Sequence, residues 1–312
     1  MKVKDVKIIK ELSYGMIGTV YLVSYKNKKY AMKIEHILDS NVKYDPNKQP
    51  WTEIDFCRLV GNKYPEQFTK LYDYDIVDNC LHEQKYPINP NKIKDEMIRK
   101  HIIELRKSKH CVRRIFSLID GTLDEIIKNL TQKEYQSTIL QLINIVCLIH
   151  SNGYVHGDLH YKNIGFVNTK KEYINIFGRK VPTYGRIFKA IDYGTCTKKI
   201  TKNDQDEELF KIVRDFLYEV TFWKAVDNKE IKYNFQEDKK RFLQTKENKI
   251  LMKYSNSEKI RFSLYWLLYP KEHQKSLGIK KVYEPIFYVP KEDVLRLIKS
   301  NDCKMYFDYF KF

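Results

Sequence analysis

The hydrophobic pattern of this chain changes period once, near residue 120, and that change limits the fold more than any other feature. Before it, Val6–Leu12, Thr19–Ser24 and Tyr30–Ile34 are short β-branched and aromatic runs that read as strands. The connections between them, Ser13–Gly18 and Lys26–Lys28, are short enough to predict an antiparallel meander. Trp51–Val60 fits a short helix, and Phe68–Val77 and Val112–Ile119 fit further strands. Residues 78–110 are polar and charged, with a helical patch at Asp95–Arg106, and read as a surface insertion. After Asp120-Gly121 the texture becomes helical. Thr131-x-x-Glu134 is a capping-box signature, and it opens a helix with Tyr135, Ile139, Leu142, Val146 and Ile149 on one face. Gly153 supplies its stop. Asp204–Trp223, 258–269 and 291–299 read as further helices. The expected class is α+β, with a strand-rich part over 1–119 and a mainly helical part over 120–312.

Composition matters at three points. With 43% hydrophobic residues in 312, the chain can bury a sizeable core, and disorder is excluded. Lys plus Arg exceeds Asp plus Glu by 57 to 40, a formal charge of +17, which suits anionic partners without choosing among them. Codon bias toward Lys, Ile, Asn and Tyr produces the same excess. The six cysteines are scattered with no Cys-x-x-Cys, so neither a disulfide framework nor a zinc ribbon is expected, and a reducing compartment is the simplest reading. Met1–Glu11 has no apolar signal-peptide core, and the run Ile139–Ile149 is broken by Gln141 and Asn144. The expectation is an intracellular, cytoplasmic protein with no membrane partner.

Four elements carry chemistry. Gly15-x-x-Gly18-x-Val20 lies between two predicted strands, where glycines let backbone N–H groups approach a phosphate. By itself such a turn is more often structural. Ala31-Met32-Lys33-Ile34 sets a lysine in an alternating strand, a pattern a surface lysine would also give. His156-Gly157-Asp158-Leu159-His160-Tyr161-Lys162-Asn163 places Asp158 and Asn163 five apart in a loop with apolar neighbours. Asp192 ends the apolar run Ala190-Ile191 and precedes Tyr193-Gly194, putting a carboxylate at a strand tip that suits a hard cation.

Together and in this order, the four elements resemble the protein-kinase-like superfamily. The resemblance runs from about Ile8 to Tyr218 and is most specific over His156–Asn163 and Asp192–Gly194. The Lys- and Tyr-rich composition and the lead-in Val181–Gly185 look like the Ser/Thr protein kinases of large DNA viruses. That likeness implies a bilobal fold and an ATP- and Mg²⁺-dependent phosphotransferase, with Mn²⁺ as a substitute metal. It further implies a protein substrate, a monomer, and a location in host cytoplasm or virion. By the resemblance, Gly15, Gly18, Val20 and Ala31 cover the nucleotide. Lys33 holds the α- and β-phosphates with Glu53 as its helix partner. Asp158 is the catalytic base, His156 supports its loop, and Asn163 and Asp192 hold the metal.

The departures from the pattern also predict. Ser13 replaces the first glycine of the loop. Gly157 stands where regulated kinases carry an arginine that reads a phosphorylated activation loop, so activity independent of that phosphorylation is expected. His160 stands where a phosphate-contacting lysine is usual. The string His-Gly-Asp-Leu-His resembles that of aminoglycoside and choline kinases, which keeps a small-molecule acceptor open. Lys162 is one candidate for the missing cation, and Asp206 for the helix acid that braces the loop. No Ala-Pro-Glu follows Asp192, and 168–186 reads as an extra hairpin or loop. A zinc site on His156 and His160 is disfavoured because their loop contains Gly157, and no P-loop lysine motif is present. Basic aromatic stretches at Lys229–Phe242 and Lys280–Tyr288 leave nucleic-acid binding as a less favoured alternative. A scaffold is disfavoured because Lys33, Asp158, Asn163 and Asp192 are all retained.

Overall fold

The computed structural model describes residues 1–78, 89–176, 179–198, 201–217, 234–253 and 255–279. The chain forms two units: Met1–Ile119 with Tyr193–Thr195, and Asp120–Asp192 with Cys196–Phe312. The class is α+β, strands dominating the N-terminal part and helices the C-terminal part.

In the first unit, β1 (Lys7–Tyr14), β2 (Gly18–Tyr25), β3 (Lys28–His36), β4 (Leu71–Val77) and β5 (Cys111–Phe116) form an antiparallel sheet in the order β1-β2-β3-β5-β4. The β2–β3 turn has Lys26 and Asn27 at φ 47° and 62°, the backbone that matches the twist of a tight hairpin. Alternation then sorts the residues. Val20 pairs with Lys33 and Leu22 with Ala31, so these four share one face. Val23, Met32, Ile34, Cys111 and Ile115 lie on the other, in a core with Val3. The helix α1 (Trp51–Phe56) continues as one wide turn through Cys57–Gly61. Within 78–110, α2 (Glu96–Lys107) starts on Asp95, whose carboxylate accepts the Ile98 N–H at 3.0 Å. It buries Ile102 and Leu105, so this segment packs as well as covering surface.

The second unit is built on α4 (Gln132–Ser151), which follows β6 (Gly121–Thr122) and α3 (Leu123–Ile126). Thr131 and Glu134 satisfy each other's backbone N–H groups at its start, the reciprocal cap expected there. Ile139, Leu142, Val146 and Ile149 are fully buried, each worth about 1.5–3 kcal/mol relative to exposure. The polar residues of this helix are tethers. Gln141 accepts the Phe188 N–H at 2.9 Å, and the Ser137 hydroxyl donates to the Pro182 carbonyl. They hold β9 (Arg179–Pro182) and β10 (Arg186–Ala190) against α4; β10 pairs with β7 (Ile164–Asn168), and β9 with β8 (Tyr173–Ile176), the hairpin within 168–186. Next come α5 (Lys202–Leu217), α6 (Phe235–Leu243), α7 (Lys246–Leu251), α8 (Glu258–Leu268) and α9 (Pro270–Ser276). Phe242, Phe262, Tyr265 and Trp266 are packed together there beside a buried His273–Asp238 pair at 2.7 Å.

Cys111 and Cys147 each belong to a disulfide, whereas Cys57 and Cys196 are buried thiols. These bonds depart from the expectation of a reducing compartment with no disulfide framework, because cysteines joined by the fold leave no short-range spacing to read. The sequence-predicted helical residues 218–223 and 291–299, part of the basic stretch from Lys229 and the stretch Lys280–Tyr288 lie outside the described residues. Among the described residues no helix is long and apolar enough to cross a membrane.

Candidate functional site

The candidate residues divide between the two units. In the first, Gly15 and Gly18 close the β1–β2 turn, where the Gly15 N–H donates to the Gly18 carbonyl at 2.8 Å. Only Gly18 is demanded sterically. A Cβ there would overlap the Glu35 side chain and meet the Ile34 carbonyl oxygen at 2.5 Å, whereas one on Gly15 meets nothing nearer than 3.8 Å. Arg106 of α2 donates through Nε and Nη2 to the Met16 carbonyl at 3.0 and 2.7 Å, tying the insertion to this turn.

Lys33 lies directly across the sheet from Arg114, and Glu35 is two residues on along the same face. The Lys33 ammonium is 2.7 Å from Glu35. Arg114 is completely buried and ion-pairs with both Glu35 and Glu53. Glu53, expected to serve Lys33, is thus part of a four-residue network with two charges of each sign. A buried guanidinium needs such partners, because an unpaired one costs several kcal/mol. Lys33 and Glu53 both act on the buried Cys57 thiol. Burial pushes its pKa well up, Glu53 adds to the rise, and Lys33 opposes it, so this thiol stays protonated and unreactive. Sequence reasoning missed Arg114 and Glu35. The Arg113-Arg114 pair inside the otherwise apolar run Cys111–Phe116 is the signal for the first, since strand alternation must turn one of two adjacent arginines inward. Tyr193 also belongs to this unit's core. Its hydroxyl accepts the Thr69 N–H at 3.1 Å, and its ring lies 4.7 Å from that of Phe56.

In the second unit, the β7–β10 ladder runs from Ile164↔Ala190 to Asn168↔Arg186, and the Ile191 N–H donates to the Asn163 carbonyl at 3.0 Å. Asn163 immediately precedes β7 and Asp192 follows β10 by two residues, so antiparallel pairing delivers both to one end of the ladder. Asp192 has φ 58°, a left-handed conformation uncommon for a residue with a side chain and concentrated at functional positions. The Asn163 amide nitrogen donates to the Asp158 carbonyl at 2.9 Å, which turns its Oδ1 away from that bond as a donor for a cation. Asn163 and Asp192 are hard oxygen donors, and a pair of that kind fits Mg²⁺, whose other positions are usually filled by phosphate and water. Among the described residues no group of three or more His, Cys, Asp or Glu side chains is placed to hold a metal.

The loop before Asn163 is braced from inside. His156 is fully buried and donates through Nε2 to the Ile191 carbonyl at 3.0 Å. Burial lowers its pKa against the opposing pull of Glu208 and neighbouring carboxylates, so it is neutral and acts as a strut. Gly157 has φ 81° and donates its N–H to Glu208 Oε1 at 2.8 Å. The other Glu208 oxygen meets Nε2 of the buried His150 at 2.7 Å. Burial raises the Glu208 pKa, but the hydrogen bond and charge of His150, with His156 and the Gly157 N–H, outweigh it and hold the carboxyl below the ordinary glutamate value. Glu208 therefore braces the loop, and the Asp206 side chain lies outside the described residues. A helix face that presents Asp204 and Lys211 also presents Glu208, and several acids in one turn left the sequence without a way to choose.

Asp158 is half exposed and carries the polar contacts of the site. Its Oδ1 is 3.3 Å from Lys211 Nζ, and its Oδ2 is 3.5 Å from His160 Nε2 and from the Asn163 amide. His160 Nδ1 accepts the Lys162 N–H at 3.2 Å, and its Nε2 lies 3.4 Å from the Asn163 amide nitrogen as well as beside Asp158. The lysine at Asp158 is thus Lys211 of α5, while Lys162 is exposed. Beside the loop lies a cavity of about 400 Å³ whose walls include Gly157, Leu159, Thr197 and Lys211. Comparison with protein-family models and with curated proteins gives no match to this chain.

Proposed function

We propose that this protein is an ATP- and Mg²⁺-dependent phosphotransferase of bilobal protein-kinase-like fold that transfers the γ-phosphate to Ser or Thr hydroxyls of proteins. The observation that carries the reading is the β7–β10 ladder. It brings Asn163 and Asp192 to one end, with Asp158 bonded to Asn163 and its loop braced by His156 and Glu208.

In this reading Asp158 orients the acceptor hydroxyl and takes its proton. His156 and the Gly157–Glu208 bond keep that carboxylate in place, so little reorganisation is needed during reaction. Lys33 is assigned to the α- and β-phosphates, its ammonium held by Glu35. The turn at Gly15 and Gly18, with Val20 and Ala31 on the Lys33 face, covers the nucleotide. Asn163 and Asp192 would hold Mg²⁺, which supplies charge neutralisation on the phosphates when bound. The short interval from Asp192 to Lys202, where α5 begins, leaves little chain for a peptide-docking segment. This favours a second reading, transfer to a small hydroxylated amine.

The experiment is incubation with labelled ATP and Mg²⁺ against basic and acidic model proteins, choline and aminosugars. The expected result is labelling of a protein by wild type and none by Asp158→Asn. Equal labelling of every acceptor by the two proteins refutes the reading. Labelling of choline or an aminosugar alone selects the second.

A further inference from the structure

We propose that Lys211 is a catalytic residue, the cation that accompanies the phosphoryl group to the acceptor, supplied by helix α5 in place of a lysine in the loop. The inference rests on the phosphotransferase reading and adds to it a residue that no loop motif contains.

Three observations carry it. The first is contact: Lys211 Nζ lies 3.3 Å from Oδ1 of Asp158, the oxygen not engaged by His160 and Asn163. The second is placement. Glu208 and Lys211 are three residues apart on α5, so they share a face. Glu208 is bonded to Gly157 and His150, so this face of α5 is turned to the loop and Lys211 with it. The third is access. Lys211 is 38% exposed and lines the cavity that also touches Gly157 and Leu159, on either side of Asp158 in sequence. Lys211 thus joins this cavity to Asp158, which it contacts directly. In the loop itself Leu159 and His160 directly follow Asp158, and neither is a permanent cation.

The step balances without another reactant. The acceptor hydroxyl proton passes to Asp158, and the acceptor oxygen forms the new bond to the γ-phosphorus. The bond from that phosphorus to the bridging oxygen breaks, and its electron pair leaves with ADP. Lys211 keeps its protons throughout, donating to the equatorial phosphoryl oxygens as their charge shifts toward the acceptor. A point-charge ammonium on a flexible stem can follow that movement. Removing one such donor from a transition state typically lowers kcat by about 100-fold or more.

The test compares wild type, Lys211→Met, Lys211→Arg and Asp158→Asn on the best wild-type acceptor. Calorimetric affinity for Mg-ADP is measured with and without aluminium fluoride, a mimic of the phosphoryl group in flight. The expected result for Lys211→Met is a kcat about 100-fold lower with KM for ATP within about threefold of wild type. It should also bind the fluoride complex more weakly than wild type but ADP equally well. Lys211→Arg, which keeps the charge, should recover most of both losses. The proposal is overturned if Lys211→Met retains wild-type kcat while Asp158→Asn is inactive, an outcome that leaves the phosphotransferase reading intact. It is also overturned if both Lys211 variants lose activity equally together with thermal stability. Wild type no more active than Asp158→Asn overturns the two readings at once.

Discussion

Substituting Glu208 by Ala should destabilise the second unit strongly, and the size follows from what this carboxylate holds. It accepts the Gly157 N–H at 2.8 Å and meets the buried His150 at 2.7 Å. Two hydrogen bonds to a charged acceptor, at about 1.5–3 kcal/mol each, sum to about 3–6 kcal/mol. For a unit of this size that corresponds to a fall in Tm of about 6–20 °C by scanning calorimetry. The pH dependence gives an independent check. The folded pKa of Glu208 is lowered, so its contribution is present above the ordinary glutamate value and is lost as pH falls through the lowered one. Wild type should therefore lose stability on acidification more steeply than Glu208→Gln, which carries no titrating group there. A Glu208→Ala protein within about 1 kcal/mol of wild type at pH 7 would refute the brace, as would parallel acid limbs for wild type and Glu208→Gln.

Two further outcomes test the first unit. Gly18→Ala should cost about 1–3 kcal/mol in urea unfolding, because its methyl would collide with Glu35 and the Ile34 carbonyl. Gly15→Ala makes only an ordinary van der Waals contact, and its effect on the same transition should be within about 0.5 kcal/mol. Arg106→Ala removes both bonds to the Met16 carbonyl, so amide hydrogen exchange across Gly15–Thr19 should accelerate by about tenfold; unchanged exchange there would show that α2 does not restrain the turn.

Legibility followed the range of the interaction. The tight β2–β3 hairpin, the Thr131–Glu134 cap and the closure of the β1–β2 turn from Gly15 to Gly18 depend on residues within a few positions, so each could be read before the fold was known; the steric demand for Gly18 comes from Ile34 and Glu35 and could not. The order of Lys33, Asp158, Asn163 and Asp192 was legible for the same reason, since each sits in a short contiguous pattern on a recognisable element. Gln141 and Asn144 read as interruptions of an apolar run, and among the described residues no helix is long and apolar enough to cross a membrane. That Gln141 is a tether to Phe188 was not visible, because its partner lies on a distant strand.

The sequence by itself therefore determined the α+β class, the change from sheet to helix near residue 120, and the residue types available for chemistry. Tertiary structure alone decided which charges meet. Glu35 and Arg114 entered the Lys33 network, Glu208 became the brace, and Lys211 came to Asp158. The physical reason is that a chain with 57 basic and 40 acidic side chains offers many equivalent candidates for any pair. Ion pairing carries no sequence periodicity. Strand register and the rotation of α5 about its axis select among those candidates, and both are set by packing of the apolar residues around them.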